Sequence, residues 1–524
     1  MARWFGNGCV ASPHHLASSA GQAVLADGGN AVDAAVAANL ALSVVTPYHC
    51  GVGGDLLAIV WDGQPTGVMS IGAAPAGATP EAVRTAIDAG HGDPTQTLPG
   101  TAGMPALGAL PVTVPGAVAG WFDLLERWGS RSFGSLSTTA RHLAAEGFPV
   151  SPHAAEYPER ARPRLRGQPG WDEHYGRMRA GERFVQTELA GTLGTLADQG
   201  PDALYRGPIA EAIVETLQRH GSTMTPEDLA SHEVETCTPL SASYREVEVL
   251  ELPPPTQGVT ALAGLGIVAA RGALPAEPID ATHVQIEAVR AALADRQDHL
   301  ADPRTMAVDV TELLSPARLQ RIAQDIDPFR AGAWPPARPA PGGTAYLCAA
   351  DRDGLLVSLI QSNFVGFGSG VVVPGTGIGL HDRGAHFSLD PTDPNVIGPD
   401  KRPMHTLIPS LVLRDGEPWL VIGTMGGDGQ AQFHVQLLGG IVDRRADIQD
   451  AIDAPRWLVD PADGSVAIEA RARDVAEGLR ARGHDIDLME AFDHRAGHAH
   501  AIEVTAAGYK GASDPRCEGA VVGY

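Results

Sequence analysis

The stretch ARPAPGGTAYLCAA, residues 337–350, sets a Gly-Gly pair before a threonine, and the threonine heads strand-like text. A threonine hydroxyl in mid-chain is a poor nucleophile. If the bond before Thr344 breaks, the new α-amine, with an ordinary pKa of about 7.7–8.0, can take the proton from its own Oγ at neutral pH. One residue then supplies both nucleophile and base. The same hydroxyl can open the bond by attacking the Gly343 carbonyl, giving an ester that water hydrolyses. Glycine at 343 keeps that carbonyl uncrowded, and the prolines hold the approach segment extended. On these residues alone, a self-cutting precursor and a linker running into a strand are both open readings.

Other chemistries find less support. No G-x-S-x-G occurs, so a serine nucleophile elbow is excluded. The clusters Gly51–Gly54 and Gly426–Gly429 lack the full phosphate-loop patterns and read as glycine turns without a ligand. The run THVQIEAVRAALADRQDHLADP places His283 and Glu287 one helical turn apart, with His299 further along. These read as surface polar positions on an amphipathic helix, and no metal is expected. The five cysteines are scattered, odd in number and form no CxxC pair, which disfavours a disulfide framework or a zinc site. No cofactor is expected.

Several elements must position these residues. GQAVLADGGNAVDAAVAANLALSVV predicts two helices joined at Asp27-Gly28-Gly29, with Asn30 capping the second. GVGGDLLAIVWDG predicts an apolar strand after a glycine turn, and VPGAVAGWFDLLERWG a helix with Trp121, Leu124, Leu125 and Trp128 on one side. TAYLCAA-DRDG-LLVSLIQ and SLVLR-DG-EPWLVIGT predict two β-hairpins with Asp-Gly turns. Helical text returns at QAQFHVQLLGGIVD, and VAIEA and AHAIEVTAAG supply late strands. Helices bracketing stacked hairpins predict an α+β layered protein. The 524 residues carry 38 Lys and Arg against 62 Asp and Glu, a formal charge of −24. Such a surface repels phosphate backbones, so no nucleic acid is expected and a small-molecule substrate fits better. The start of the chain lacks the apolar core of a signal peptide, and the apolar run Ala31–Val45 carries Asp33 and is too short to span a bilayer. A cytoplasmic protein without membrane association is the expectation.

Read together, GGNAVDAAVAANLALSVVTP, GVGGD, VPGAVAGW, PPPTQG, GTAYLCAADRDG, GFGSG, GPDKRPMHTLIPS, GTMGG and GASDPR resemble the γ-glutamyltranspeptidase family in order and spacing, from about residue 8 to 520. The resemblance implies an N-terminal-nucleophile hydrolase with a four-layer αββα sandwich. It implies self-cleavage between Gly343 and Thr344 into a large part, 1–343, ending in the proline-rich linker 331–343, and a small part, 344–524. The two would stay together as one globular unit, an arrangement compatible with a homodimer of heterodimers. Thr344 matches the family's nucleophile, Ser362 the hydroxyl that positions it, and the Gly426 and Gly427 N–H groups the oxyanion hole.

The family's glutamate-binding residues do not match. Its carboxylate-binding arginine falls at Pro80 in GATPEAV, its paired serines at His405-Thr406, its asparagine at Phe364, and its acidic partner at His386 in AHFS. Losing an arginine and a carboxylate removes charge-assisted bonds of roughly 1.5–3 kcal/mol each. The segment before GPDKRP is about ten residues shorter than usual for the family, which implies an open site without a lid. Phe364, Arg383, His386, His405, Thr406 and Asp428 are the expected substrate-binding residues, with Arg383 able to anchor a differently placed carboxylate. The expected activity is hydrolysis of a small acyl amide through an acyl-enzyme, not specific for γ-glutamyl groups. The alternatives are a genuine γ-glutamyl hydrolase or transpeptidase, a carbon–carbon bond hydrolase, and an uncut non-catalytic scaffold.

Overall fold

A computed structural model describes residues 1–333, 337–340 and 342–524 of the uncut chain. Two seven-stranded antiparallel sheets lie face to face. The first runs Ala520–Gly523, Cys9–Ser12, Gly343–Ala350, Leu356–Phe364, Asp55–Trp61, Pro65–Ser70, Glu235–Cys237. The second runs Arg3–Phe5, Gly508–Ser513, Ala499–Thr505, Glu417–Thr424, Ser410–Arg414, Val247–Glu251, Leu240–Tyr244. Both sheets mix strands from before Gly343 with strands from after it.

The strand Gly343–Ala350 is buried along its whole length, which explains its unbroken apolar text. Ala345, Leu347 and Ala349 pack against the helical layer that includes His15–Ala26 and Ala31–Val45. Tyr346, Cys348 and Ala350 face the second sheet and meet Leu411, Val421 and Ile502. Because side chains alternate along a strand, Thr344 shares the inter-sheet face with Tyr346. On the far side, the second sheet is covered by the helices Gly258–Ala270, Pro278–His299 and Gly429–Leu438. The four layers are helices, sheet, sheet, helices. The five cysteines are unpaired, and among the described residues no helix is long and apolar enough to cross a membrane.

Local signals explain several elements. Asn30 accepts from the Asp33 N–H while the Asp33 carboxylate accepts from the Asn30 N–H, a reciprocal capping box. The same carboxylate accepts from the Ser130 and Arg131 N–H groups and from Ser130 Oγ, tying the helix to a loop 97 residues away. Both Asp-Gly hairpins form as expected, between Gly343–Ala350 and Leu356–Phe364 and between Ser410–Arg414 and Glu417–Thr424.

One reading fails. His283 and Glu287 are not surface positions on the Pro278–His299 helix but buried, as are Arg290 and Arg296, while His299 at the helix end is part-exposed. Layers on more than one side of this helix bury its polar residues, which then pair with one another. His283 Nε2 lies 2.7 Å from the Asp327 carbonyl and its Nδ1 lies 2.8 Å from His484 Nε2, while Arg290 donates to Glu287. Potential ligand atoms of His283, Glu287 and His484 lie within 4.8 Å of one another. This hydrogen-bonded chain ties the helix to the root of the 331–343 segment, where Gly332 N–H donates to Glu287.

Candidate active site

The first hairpin brings Thr344 opposite Ser362, with a register irregularity between Gly343 and Thr344: Gly343 pairs with Phe364, leaving Asn363 as an extra residue. Thr344 Oγ1 donates to Ser362 Oγ at 3.2 Å, and Ser362 Oγ donates to the Gly343 carbonyl at 2.7 Å. One hydroxyl therefore touches both the would-be nucleophile and the carbonyl it would attack. Phe364 N–H donates to the same oxygen at 2.7 Å. To make that bend Phe364 adopts φ +74°, a left-handed conformation that costs a bulky residue about 1–2 kcal/mol.

Arg383 is the fourth group on Ser362. Its Nη2 donates to Ser362 Oγ at 3.2 Å, its Nη1 donates to Thr406 Oγ1 at 3.1 Å, and its Cζ sits 4.2 Å from the centre of the Phe364 ring. Only 1% of Arg383 is exposed. Burial pulls its pKa down to about 10, with Asp55 and Asp382 opposing, so it stays cationic at neutral pH. Asp55 Oδ2 lies 3.1 Å from His405 Nε2, 3.6 Å from His381 Nδ1 and 3.8 Å from Arg383 Nε. Burial alone would raise the Asp55 pKa; His381, His405 and Arg383 reverse it and hold the carboxylate at about 2. Burial and then Arg383 press His405 down to about 3, so its imidazole is neutral. Asp382 behaves oppositely: burial lifts it to about 7 against Arg164 and the Val365 N–H.

The Phe364 and His386 rings also meet in an edge contact, 6.2 Å between centres. The structure thus gathers Thr344, Ser362, Phe364, Arg383, Thr406 and His386, with His405 one carboxylate away. Gly426 and Gly427 follow the Glu417–Thr424 strand at φ +137° and +56°, conformations that glycine adopts freely. A Cβ on Gly342 would collide with the backbone nitrogen of Gly427, so the approach segment runs across this pair. Gln257 joins the two halves, donating to the Thr406 carbonyl at 3.0 Å and the Gly427 carbonyl at 2.8 Å. Asp428 pairs with Arg296, whose Nη1 also donates to Gln257.

Asp428 grips the approach segment instead of an open pocket. It accepts from the Ala340 N–H and donates its own N–H to the Ala340 carbonyl at 3.0 Å. Arg296 donates to the Arg338 carbonyl at 2.9 Å. Arg338 is buried, its guanidinium held by the Gly100 and His386 carbonyls and the Asp393 carboxylate. A site open for want of a lid is therefore not what the uncut chain has: Thr344, Ser362 and Arg383 are all buried, with the approach segment lying over Gly427 and Asp428. Beside Pro339 and Ala340 lies a cavity of about 360 Å³, also lined by Leu98, Pro99, Gly426 and Asp428. At the position of the family's arginine, Pro80 opens a helix capped by Thr79.

Asp55, Gln257, Arg296 and Arg338 received no role from the sequence. Two stand inside quoted motifs, GVGGD and PPPTQG, but the partners that give them meaning are distant: His405 is 350 residues from Asp55 and Gly427 is 170 from Gln257.

Comparison with known proteins bears on the family and the fold. The sequence profile described as γ-glutamyltranspeptidase matches residues 17–524. An oxamate amidohydrolase proenzyme of Klebsiella pneumoniae subsp. pneumoniae is 38% identical, over 99% of this chain and 98% of its own length. A glutathione hydrolase-like proenzyme of Bacillus subtilis is 35% identical, over 98% of each. The crystal structure of a cephalosporin acylase from Bacillus halodurans superposes with a TM-score of 0.93 at 36% identity, covering 100% of this chain and 97% of that one. The chain belongs to the γ-glutamyltranspeptidase family and has its N-terminal-nucleophile hydrolase fold.

Proposed function

We propose that this chain is a precursor that cuts itself between Gly343 and Thr344 and then hydrolyses a short acyl amide carrying a carboxylate next to the scissile carbonyl. The observation that carries this reading is the contact series Thr344 Oγ1, Ser362 Oγ, Arg383 guanidinium. A buried cation stands one hydroxyl away from the nucleophile. A carboxylate drawn to it would bring the adjacent carbonyl to Thr344, and oxamate is the smallest amide with that arrangement. Similarity to an oxamate amidohydrolase and a cephalosporin acylase supports the class.

The uncut geometry supports the self-cut. Arg383 and the Phe364 N–H withdraw electron density from Ser362 Oγ, making its O–H a stronger donor to the Gly343 carbonyl. Thr344 Oγ adds to that carbon, the C–N bond breaks, and the amide nitrogen leaves with the hydroxyl proton as an amine. Water hydrolyses the resulting ester to a Gly343 carboxylate and a free Thr344. In turnover the α-amine takes the Oγ proton, Oγ attacks the substrate carbonyl, and the Gly426 and Gly427 N–H groups hold the oxyanion. The proton passes to the leaving nitrogen, ammonia or an amine departs, and water releases the acid.

The test has two arms. Thr344→Ala should stay one band on a denaturing gel and be inactive, and Ser362→Ala should slow cutting about 10–100-fold while remaining folded; wild-type cutting by the Thr344→Ala chain would refute the nucleophile. For processed wild type, kcat/KM on oxamate should exceed that on a γ-glutamyl anilide by about 100-fold. Saturable γ-glutamyl turnover at low substrate, with none on oxamate, would make it a genuine γ-glutamyl hydrolase.

A further inference from the structure

The buried Arg338 side chain marks a second recognition point. Its Nη2 and Nε donate to the Gly100 carbonyl at 2.9 and 3.2 Å, its Nη1 donates to the His386 carbonyl at 3.0 Å, and Asp393 pairs with it. Every partner is an acceptor. Asp393 is fixed by the Asn395 N–H on its other oxygen, and Asn395 Nδ2 donates to the same His386 carbonyl. This is a cradle shaped for a cation. It lies beside the proposed active site, because the His386 and Phe364 rings make an edge contact and Arg383 sits over the Phe364 ring.

We infer that this cradle is a cation subsite of the processed enzyme, one for a guanidinium or ammonium group on the substrate. The inference rests on the self-cutting reading, since the cut frees the end of the segment that fills the cradle. Pro339 and Ala340 wall the 360 Å³ cavity that reaches Leu98 and Pro99, next to Gly100. A wall that moves off after the cut uncovers this cavity and vacates the cradle of Asp393 and two carbonyls, whose Gly100 adjoins the lining residue Pro99. Asp393 is half-buried and keeps the Asn395 N–H, so the emptied cradle is a site of acceptors with net negative charge, which favours a cation over a neutral group. Arg383 and the cradle then flank Phe364 with opposite charges, which selects an amide bearing an anionic group near the scissile carbonyl and a cationic group farther from it. His386 contributes its carbonyl to this recognition.

The probe is the acetylated peptide Arg-Pro-Ala-Pro-Gly-Gly, matching residues 338–343, and its twin with citrulline in place of arginine, which keeps the shape and drops the charge. Calorimetric titration is run on wild type, Arg338→Ala and Asp393→Asn after a denaturing gel has established that each is cut. The arginine peptide should bind at least about 10-fold more tightly than the citrulline peptide, and Asp393→Asn should erase the difference. Discrimination by Arg338→Ala but not by wild type supports the subsite and shows the cut tail competing for it. Equal binding of the two peptides by both wild type and Arg338→Ala, or discrimination that survives Asp393→Asn, overturns the subsite while self-cutting stands. A wild-type chain that stays uncut removes the self-cutting reading and the subsite together.

Discussion

Arg383, Asp55 and Asp382 show how burial decides the charge around the nucleophile. Asp55 is surrounded by His381, His405 and Arg383 and stays ionised, whereas Asp382 has weaker help and is lifted from 3.8 to about 7. Between those values the folded chain keeps a proton on Asp382 that the unfolded chain has released. Stability contributed by this group therefore falls as pH rises from about 4 to about 7, and levels above that. Asp382→Asn, which keeps an oxygen for the Val365 N–H, should flatten the slope. Urea midpoints measured from pH 4.5 to 7.5 check this, and parallel curves for the two proteins would refute it. At this scale the sequence is legible where a placement depends on local text: Thr344 after Gly-Gly, heading a buried strand, and glycines in a turn before a helix. It is opaque where a role depends on meeting a distant side chain, as for Gln257, which links Thr406 to Gly427, and for Asp428, whose partners are Arg296 and Ala340.

Elements divide in the same way. Hairpins and helix caps are short-range devices, so the Asp-Gly turns and the Asn30 cap are legible in a few consecutive residues. The buried polar positions of Pro278–His299 are not, because apolar spacing does not reveal how many layers cover a helix. Asp33 joins both kinds, capping its own helix and holding the Ser130–Arg131 loop through one buried carboxylate. Removing it leaves several donors without an acceptor, and each such loss costs about 1–3 kcal/mol. Asp33→Ala should therefore lower the stability of the folded chain by about 3 kcal/mol or more, against about 1 kcal/mol for Asn30→Ala. Chemical denaturation gives both values, and near-equal losses would mean the loop contacts contribute little.

At the scale of the whole molecule, neither sheet belongs to one side of the Gly343–Thr344 bond. The strand Leu356–Phe364 pairs with Asp55–Trp61, and Ser410–Arg414 pairs with Val247–Glu251. Separating 1–343 from 344–524 would break both sheets and the core between them. The two pieces should co-elute on size exclusion and unfold in one cooperative denaturant transition; a piece that leaves below the main transition would contradict this. The irregular pairing at Gly343–Thr344 and the left-handed Phe364 have a consequence in the life of the molecule. Ser362 reaches both the hydroxyl and the carbonyl only when the hairpin has paired in register against finished neighbours. A chain stalled short of that state has no means of arming itself. Maturation is therefore a quality check that needs no inspector, and every active copy carries in its new terminus a record of having folded.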